Sequence, residues 1–162
     1  MKVNPTKIIV VKKDIFSLNS EVITCPVNCK GVMGKGLALQ FKKRYPQVES
    51  AYKAFCKDKV ITPTSGGLVY LNSENFPKII WLLPTKDHWK DKSNLNNILK
   101  VVEEFCSDIQ FTETVKEQAY NEVSIPKIGC GLGGLNWEDV KQSLIDTIQP
   151  YELKTPFVLT EY

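Results

Sequence analysis

At 162 residues, 43% hydrophobic and 24% charged, the chain has the composition of a globular domain and not of a disordered one. No apolar run nears the roughly 20 residues of a membrane span, and the first ten residues lack a signal-peptide layout, so a soluble, cytoplasmic protein with no membrane partner is expected. The net charge of +3 is compatible with an anionic ligand or nucleic acid and demands neither, while five scattered cysteines with no CxxC pair argue against both a disulfide framework and a metal site.

Lys7-Ile8-Ile9-Val10-Val11-Lys12-Lys13 is a β-branched run that reads as a first strand buried on both faces, ending at Asp14-Ile15-Phe16. Asp14 stands at that strand's carboxyl end, where ligands bind in open α/β sheets, although a turn or N-cap carboxylate is the plainer reading. A second strand, Val22-Ile23-Thr24-Cys25-Pro26-Val27, runs into a glycine loop, Val27-Asn28-Cys29-Lys30-Gly31-Val32-Met33-Gly34-Lys35-Gly36. Glycine admits positive φ and lets N–H groups approach a ligand, and a strand, a glycine loop and a helix start together make an anion cradle. Leu37, Leu39, Phe41 and Tyr45 then fall in a helical pattern that Pro46 stops, and a short helix follows around Val48 to Cys56. Met33 and these aromatics read as core. Gly66-Gly67 turns into the strand Leu68-Val69-Tyr70-Leu71, which pairs as a hairpin through Asn72 to Pro77 with Lys78-Ile79-Ile80-Trp81-Leu82-Leu83-Pro84.

The polar loop Pro84-Thr85-Lys86-Asp87-His88-Trp89-Lys90-Asp91-Lys92-Ser93 carries the only histidine. Ser93 reads as the N-cap of a helix from Asn94 to Asp108, where Leu95, Ile98, Leu99, Val102 and Phe105 keep helical spacing, and the polar stretch Gln110 to Asn121 reads as a helix end and loop. Val123 to Ile128 is a strand feeding a second cradle, Gly129-Cys130-Gly131-Leu132-Gly133-Gly134-Leu135-Asn136-Trp137. A helix from Trp137 to Ile148 and a last strand from Phe157 to Thr160 close the chain. Strands alternating with helices predict an α/β protein, its sheet largely parallel and covered on both faces. Two cradles suggest a diphosphate held between two loops. Cys29 and Cys130 lie in them with no histidine beside them and read as small apolar fillers rather than nucleophiles. Gly31 to Gly36 does not fit the GxxxxGK[ST] loop of nucleotide kinases.

The two glycine loops with Asp14-Ile15 resemble the macrodomain, the ADP-ribose-binding module, over nearly the whole chain. Three segments are similar to the DarG-type antitoxin branch, which removes ADP-ribose from DNA: Val27 to Lys42, Pro84 to Lys90, and Ile128 to Trp137. The resemblance implies a single macrodomain over residues 1–162, a three-layer α/β/α fold around a mixed, largely parallel sheet. Because such antitoxins commonly carry a further carboxyl-terminal domain and this chain stops at Tyr162, an excised domain and a stand-alone protein both remain open.

The resemblance also implies a site. Asp14 would accept a hydrogen bond from the adenine amine, with Ile15 giving a backbone contact. Gly129, Cys130, Gly131, Leu132, Gly133, Gly134 and Leu135 would cradle the diphosphate. Pro26, Val27, Asn28, Gly31, Val32, Met33, Gly34, Lys35 and Gly36, with Thr85, would surround the rest of the ligand and its distal ribose. Lys86, with Asn28, would be catalytic at the anomeric carbon of that ribose; His88, by its own position two residues past Lys86, reads as a proton shuttle, a contact to the leaving base or a structural loop histidine. An amine attacks such a centre only when partly deprotonated, and an ordinary lysine pKa of about 10.4 requires burial or neighbouring cations such as Lys35, Lys90 and Lys92 to lower it. The human terminal ADP-ribose protein glycohydrolase, a close relative of this branch, carries an acid where Gly133 stands here, which tilts the expected substrate from modified protein toward a modified DNA base, most plausibly thymine.

The leading expectation is therefore an ADP-ribosyl glycohydrolase acting on DNA and reversing a DNA ADP-ribosyltransferase toxin, with ADP-ribose or ADP-ribosylated DNA as ligand and no cofactor or metal. Single-stranded DNA would meet Lys30, Lys35, Lys42, Lys43, Arg44, Lys90 and Lys92, and the toxin itself would be a further partner. The alternatives are hydrolysis of protein-linked ADP-ribose, O-acetyl-ADP-ribose or ADP-ribose 1″-phosphate, and a reader module without catalysis. A reader would have no use for an amine at Lys86.

Overall fold

Apolar residues in the strands alternate between two faces, and each face is buried by helices. The computed structural model describes residues 4–162 and orders them as β1 (Ile8–Val11), β2 (Val22–Val27), α1 (Gly36–Arg44), α2 (Pro46–Lys57), β3 (Gly67–Tyr70), β4 (Ile79–Pro84), α3 (Leu95–Val115), β5 (Val123–Ile125), α4 (Trp137–Ile148) and β6 (Phe157–Thr160). The strands form one six-stranded sheet in the order β1-β6-β5-β2-β4-β3. Every neighbouring pair is parallel except β3 with β4, so the sheet is mixed and largely parallel. In β4, Ile79, Trp81 and Leu83 join the core under α3 and α4, while Ile80 and Leu82 join the core under α1 and α2. That two-residue period makes the three-layer architecture. Trp81 stacks on Phe105 of α3 at 4.0 Å between ring centroids, at the centre of the first core.

Four expectations need correction. β1 is not buried on both faces: it pairs only with β6 at the sheet's edge, and Ile9 and Val10 are 44% and 39% exposed. A β-branched run forms an edge strand as readily as a central one, because branching favours the extended backbone whatever covers it. The helix expected to end at Asp108 runs on to Val115. Its polar last turns are held by tertiary bonds that periodicity cannot report: the Glu113 carboxylate accepts from the backbone N–H groups of Lys154 and Thr155 and from the Thr155 hydroxyl. Asn94, not Ser93, caps α3, its side chain accepting from the Asn97 N–H at 3.0 Å. The fifth strand stops at Ile125, since Pro126 has no N–H to continue a ladder. Pro46 both follows the end of α1 and occupies the first turn of α2, where its missing N–H costs nothing. Among the described residues no helix is long and apolar enough to cross a membrane.

Candidate functional site

Sheet order builds the site. β5, β2 and β4 are neighbours and parallel, so their carboxyl ends lie at one edge and the loops that follow them, 126–136, 28–35 and 85–94, converge there. Main-chain bonds join these loops. Thr85 N–H donates to Val27 O at 2.9 Å and Cys29 N–H to Asp87 O at 2.8 Å, fixing the lysine loop against the first glycine loop. Ser93 N–H donates to Gly133 O at 3.0 Å, fixing the other end of the lysine loop against the second.

Between them lies a cleft of about 720 Å³. Of the residues expected to bind, Pro26, Val27, Asn28, Val32, Gly34, Lys35, Gly36, Thr85, Lys86, Gly129, Cys130, Gly131, Leu132 and Gly133 line it. Lys86 is half-buried in its wall, and Lys35, Lys90 and Lys127 line the same space with no carboxylate among the lining residues. Lys92 lies outside that lining, near Gly134. The first turn of α1 also opens on the cleft through Gly36, Leu37 and Ala38, and its N-cap, Lys35, makes no side-chain capping bond. The unpaired N–H groups and positive end of that helix therefore face the cavity.

Other expected residues stand behind or beside the cleft. Met33 is buried in the core under α1 and α2. Gly31 supports the first loop at φ +78°, against Lys53, while Gly134 and Leu135 close the second loop, Leu135 N–H donating to Gly129 O at 2.9 Å. Asp14 and Ile15 lie after β1 at the same carboxyl edge but three strands away from β2. One Asp14 oxygen accepts from Phe16 N–H at 3.0 Å, the capping geometry of a short 3-10 turn, and Ile15 is buried. His88 does not line the cleft: its ring stacks on Trp89 at 3.8 Å and its Nδ1 accepts from Lys90 N–H at 3.1 Å. Trp89, Ser93 and Lys127 do line it and were not singled out as ligand contacts from the sequence. The signal for Trp89 was there, an aromatic in a polar loop three residues past Lys86.

Asn28 is nearly buried and its carboxamide is largely engaged. Its Nδ2 donates to Val32 O at 2.8 Å, and its Oδ1 accepts from Lys30 N–H at 2.8 Å and from the Tyr52 hydroxyl at 2.7 Å. These bonds shape the first glycine loop and use one of the two amide N–H groups of a residue that lines the cleft. Burial, foremost, and the Asp87 carboxylate push the Cys29 thiol up to about 12, and burial raises Cys130 as well, so neither is a ready thiolate. Among the described residues no cluster of three His, Cys, Asp or Glu side chains could hold one metal ion.

Gly133 shows why an acid is absent from that position. A Cβ there would stand 2.1 Å from Ser93 Oγ and 2.6 Å from Gly129 O, so a side chain would displace both the lysine loop and the turn of the cradle. Gly129 is at φ +73°, and a Cβ on it would meet Leu135 Cδ1 at 2.8 Å.

A macro domain profile matches residues 25–144. The DNA ADP-ribosyl glycohydrolase of Mycobacterium tuberculosis is 38% identical over 136 residues, which are 84% of this chain and 37% of that protein. The chain thus spans just over a third of the length of this and similar curated relatives. Among solved structures, the macrodomain of Mycobacterium tuberculosis DarG superposes with a TM-score of 0.86 at 33% identity, covering 97% of this chain and 99% of that one. The Thermosipho africanus DarTG in complex with ADP-ribose superposes at 0.81 with 27% identity, covering 95% of this chain and 41% of that one.

Proposed function

The chain belongs to the macro domain family, and on that premise we propose that it is an ADP-ribosyl glycohydrolase that releases ADP-ribose from a modified DNA base, most plausibly thymine, in the cytoplasm. The observation that carries this reading is Lys86 held against the first glycine loop, in a cleft lined by four lysines and no carboxylate. A cation-lined cleft suits a diphosphate joined to a nucleic acid and suits an acidic peptide less. Residues 1–162 act as a single macrodomain in this proposal.

The ligand's diphosphate lies between the second glycine loop and the first turn of α1, where backbone N–H groups supply donors without the solvation cost of bringing a cation from water. The adenine lies toward Asp14, whose second carboxylate oxygen accepts its amine. The distal ribose lies at Thr85 and the first glycine loop, with the remaining Asn28 N–H on a ribose oxygen. Lys86 Nζ forms a bond to the anomeric carbon as the glycosidic bond breaks, and the proton that the nitrogen sheds passes to the departing base. Water then hydrolyses the lysine adduct and frees ADP-ribose. In this role the protein reverses the action of a DNA ADP-ribosyltransferase toxin, and that toxin is its cognate partner.

The test measures release of ADP-ribose from a thymidine-modified single-stranded oligonucleotide and from an ADP-ribosylated protein, with wild type and Lys86→Ala. Release from DNA should fall by roughly 10²-fold or more in Lys86→Ala, while free ADP-ribose still binds. Binding of ADP-ribose without release from either substrate would make the chain a reader, and release from protein alone would overturn the DNA substrate.

A further inference from the structure

We propose that Trp89 is the platform on which the leaving nucleobase stacks, an inference that rests on the DNA glycohydrolase reading. Trp89 lines the cleft yet is 45% exposed, and a large aromatic left this open at a cavity rim has a ring face to offer. The chain's other tryptophans are engaged elsewhere: Trp81 is buried against Phe105, and the Trp137 indole N–H donates to Glu161 at 3.0 Å. One face of Trp89 is backed by the His88 ring at 3.8 Å with 28° between the planes, which leaves the opposite face for a ligand.

The platform is held in place before any ligand arrives. His88 N–H donates to the Asp91 carboxylate at 3.0 Å, Asp91 N–H to His88 O at 2.9 Å, and Lys90 N–H to His88 Nδ1 at 3.1 Å. These bonds close the tip of the lysine loop around Trp89, so little ordering entropy remains to be lost when a base docks.

Position separates the leaving base from the adenine. Trp89 is three residues past Lys86 on the loop after β4. Asp14 follows β1, with β6, β5 and β2 between those two strands. At about 4.8 Å per strand the adenine end is roughly 19 Å away, so a ring stacked on Trp89 belongs to the group beyond the anomeric carbon. Stacking recognises the flat face that every nucleobase presents and a glutamate side chain lacks. Lys90, adjacent in the chain, offers a charge to the phosphate beside that base.

The experiment uses Lys86→Ala protein, in which turnover is suppressed, and compares by calorimetry the affinity for ADP-ribosyl-thymidine, a nucleoside with no backbone phosphate, with that for free ADP-ribose. With Trp89 present the nucleoside conjugate should bind about tenfold tighter than ADP-ribose. Adding Trp89→Ala should erase that difference while leaving ADP-ribose affinity within about twofold, and Trp89→Phe should keep most of it. Equal affinity for the two ligands with Trp89 intact overturns the platform, as does a loss of ADP-ribose affinity in Trp89→Ala equal to the loss for the conjugate. Turnover of the modified oligonucleotide by wild type is scored separately. Its absence would overturn the glycohydrolase reading, while the binding comparison still decides the role of Trp89.

Discussion

Tyr52 is fully buried in the core between the sheet and α2, yet its hydroxyl reaches the first glycine loop, 2.8 Å from the Asn28 carbonyl and 2.7 Å from its side-chain oxygen. Burial raises its pKa well above the ordinary tyrosine value, so it remains a hydrogen-bond donor at any working pH. Asn28 in turn ties Lys30 and Val32 into the loop. Tyr52→Phe should therefore leave the buried Asn28 carbonyl without its donor, strip the Asn28 side-chain oxygen of one of its two, and lower stability by about 1–3 kcal/mol, read from urea denaturation. It should also weaken ADP-ribose binding without touching the ligand. An unchanged denaturation midpoint would mean that water replaces the hydroxyl. Asn28 and Lys86 are both singled out in the sequence by the resemblance of their loops to those of a known family. That Asn28 is a brace for the loop as well as a wall of the cleft follows from Tyr52, 24 residues away on another element.

At the scale of elements, the site is an interlock of three loops. The lysine loop bonds to the first glycine loop at Thr85 and Asp87 and to the second at Ser93, so Lys86 is positioned from both sides. Gly133 is the tightest point of that interlock. Gly133→Ala should lower the melting temperature, because overpacking of this kind costs about 1–3 kcal/mol, and it should weaken ADP-ribose binding by pushing the lysine loop outward. Combining it with Ser93→Ala removes the 2.1 Å clash but not the 2.6 Å approach to the Gly129 carbonyl. The double variant should accordingly recover part of the loss and not all of it. Full recovery in thermal melts would place the whole strain on the serine.

For the whole molecule, the two cores bury cysteines that must stay protonated. Burial lifts Cys106 and Cys29 from an ordinary value of 9.0 to about 12, with Glu103 and Asp87 adding to the effect, and lifts Cys25 further in the same direction. The unfolded chain gives up these protons near pH 9 while the folded chain keeps them. The stabilisation is thus complete below pH 9 and drains away as pH rises toward 12. The melting temperature should fall steadily from pH 8.5 to 10.5, and Cys106→Ala should flatten that slope even as it costs some stability at pH 7. A slope identical in the variant would assign the alkaline loss to other groups. The linear chain already carried the alternation of strands and helices and the two glycine cradles, because periodicity and glycine spacing are local and are written in neighbouring residues, while Lys86 was legible only through the resemblance of its loop to a known family. It could not show that β5, β2 and β4 lie side by side, that Ser93 turns to the second cradle instead of capping α3, or that Trp89 and not His88 faces the cleft. Those outcomes depend on which surfaces meet across the sheet, and packing between distant segments leaves no period in the sequence.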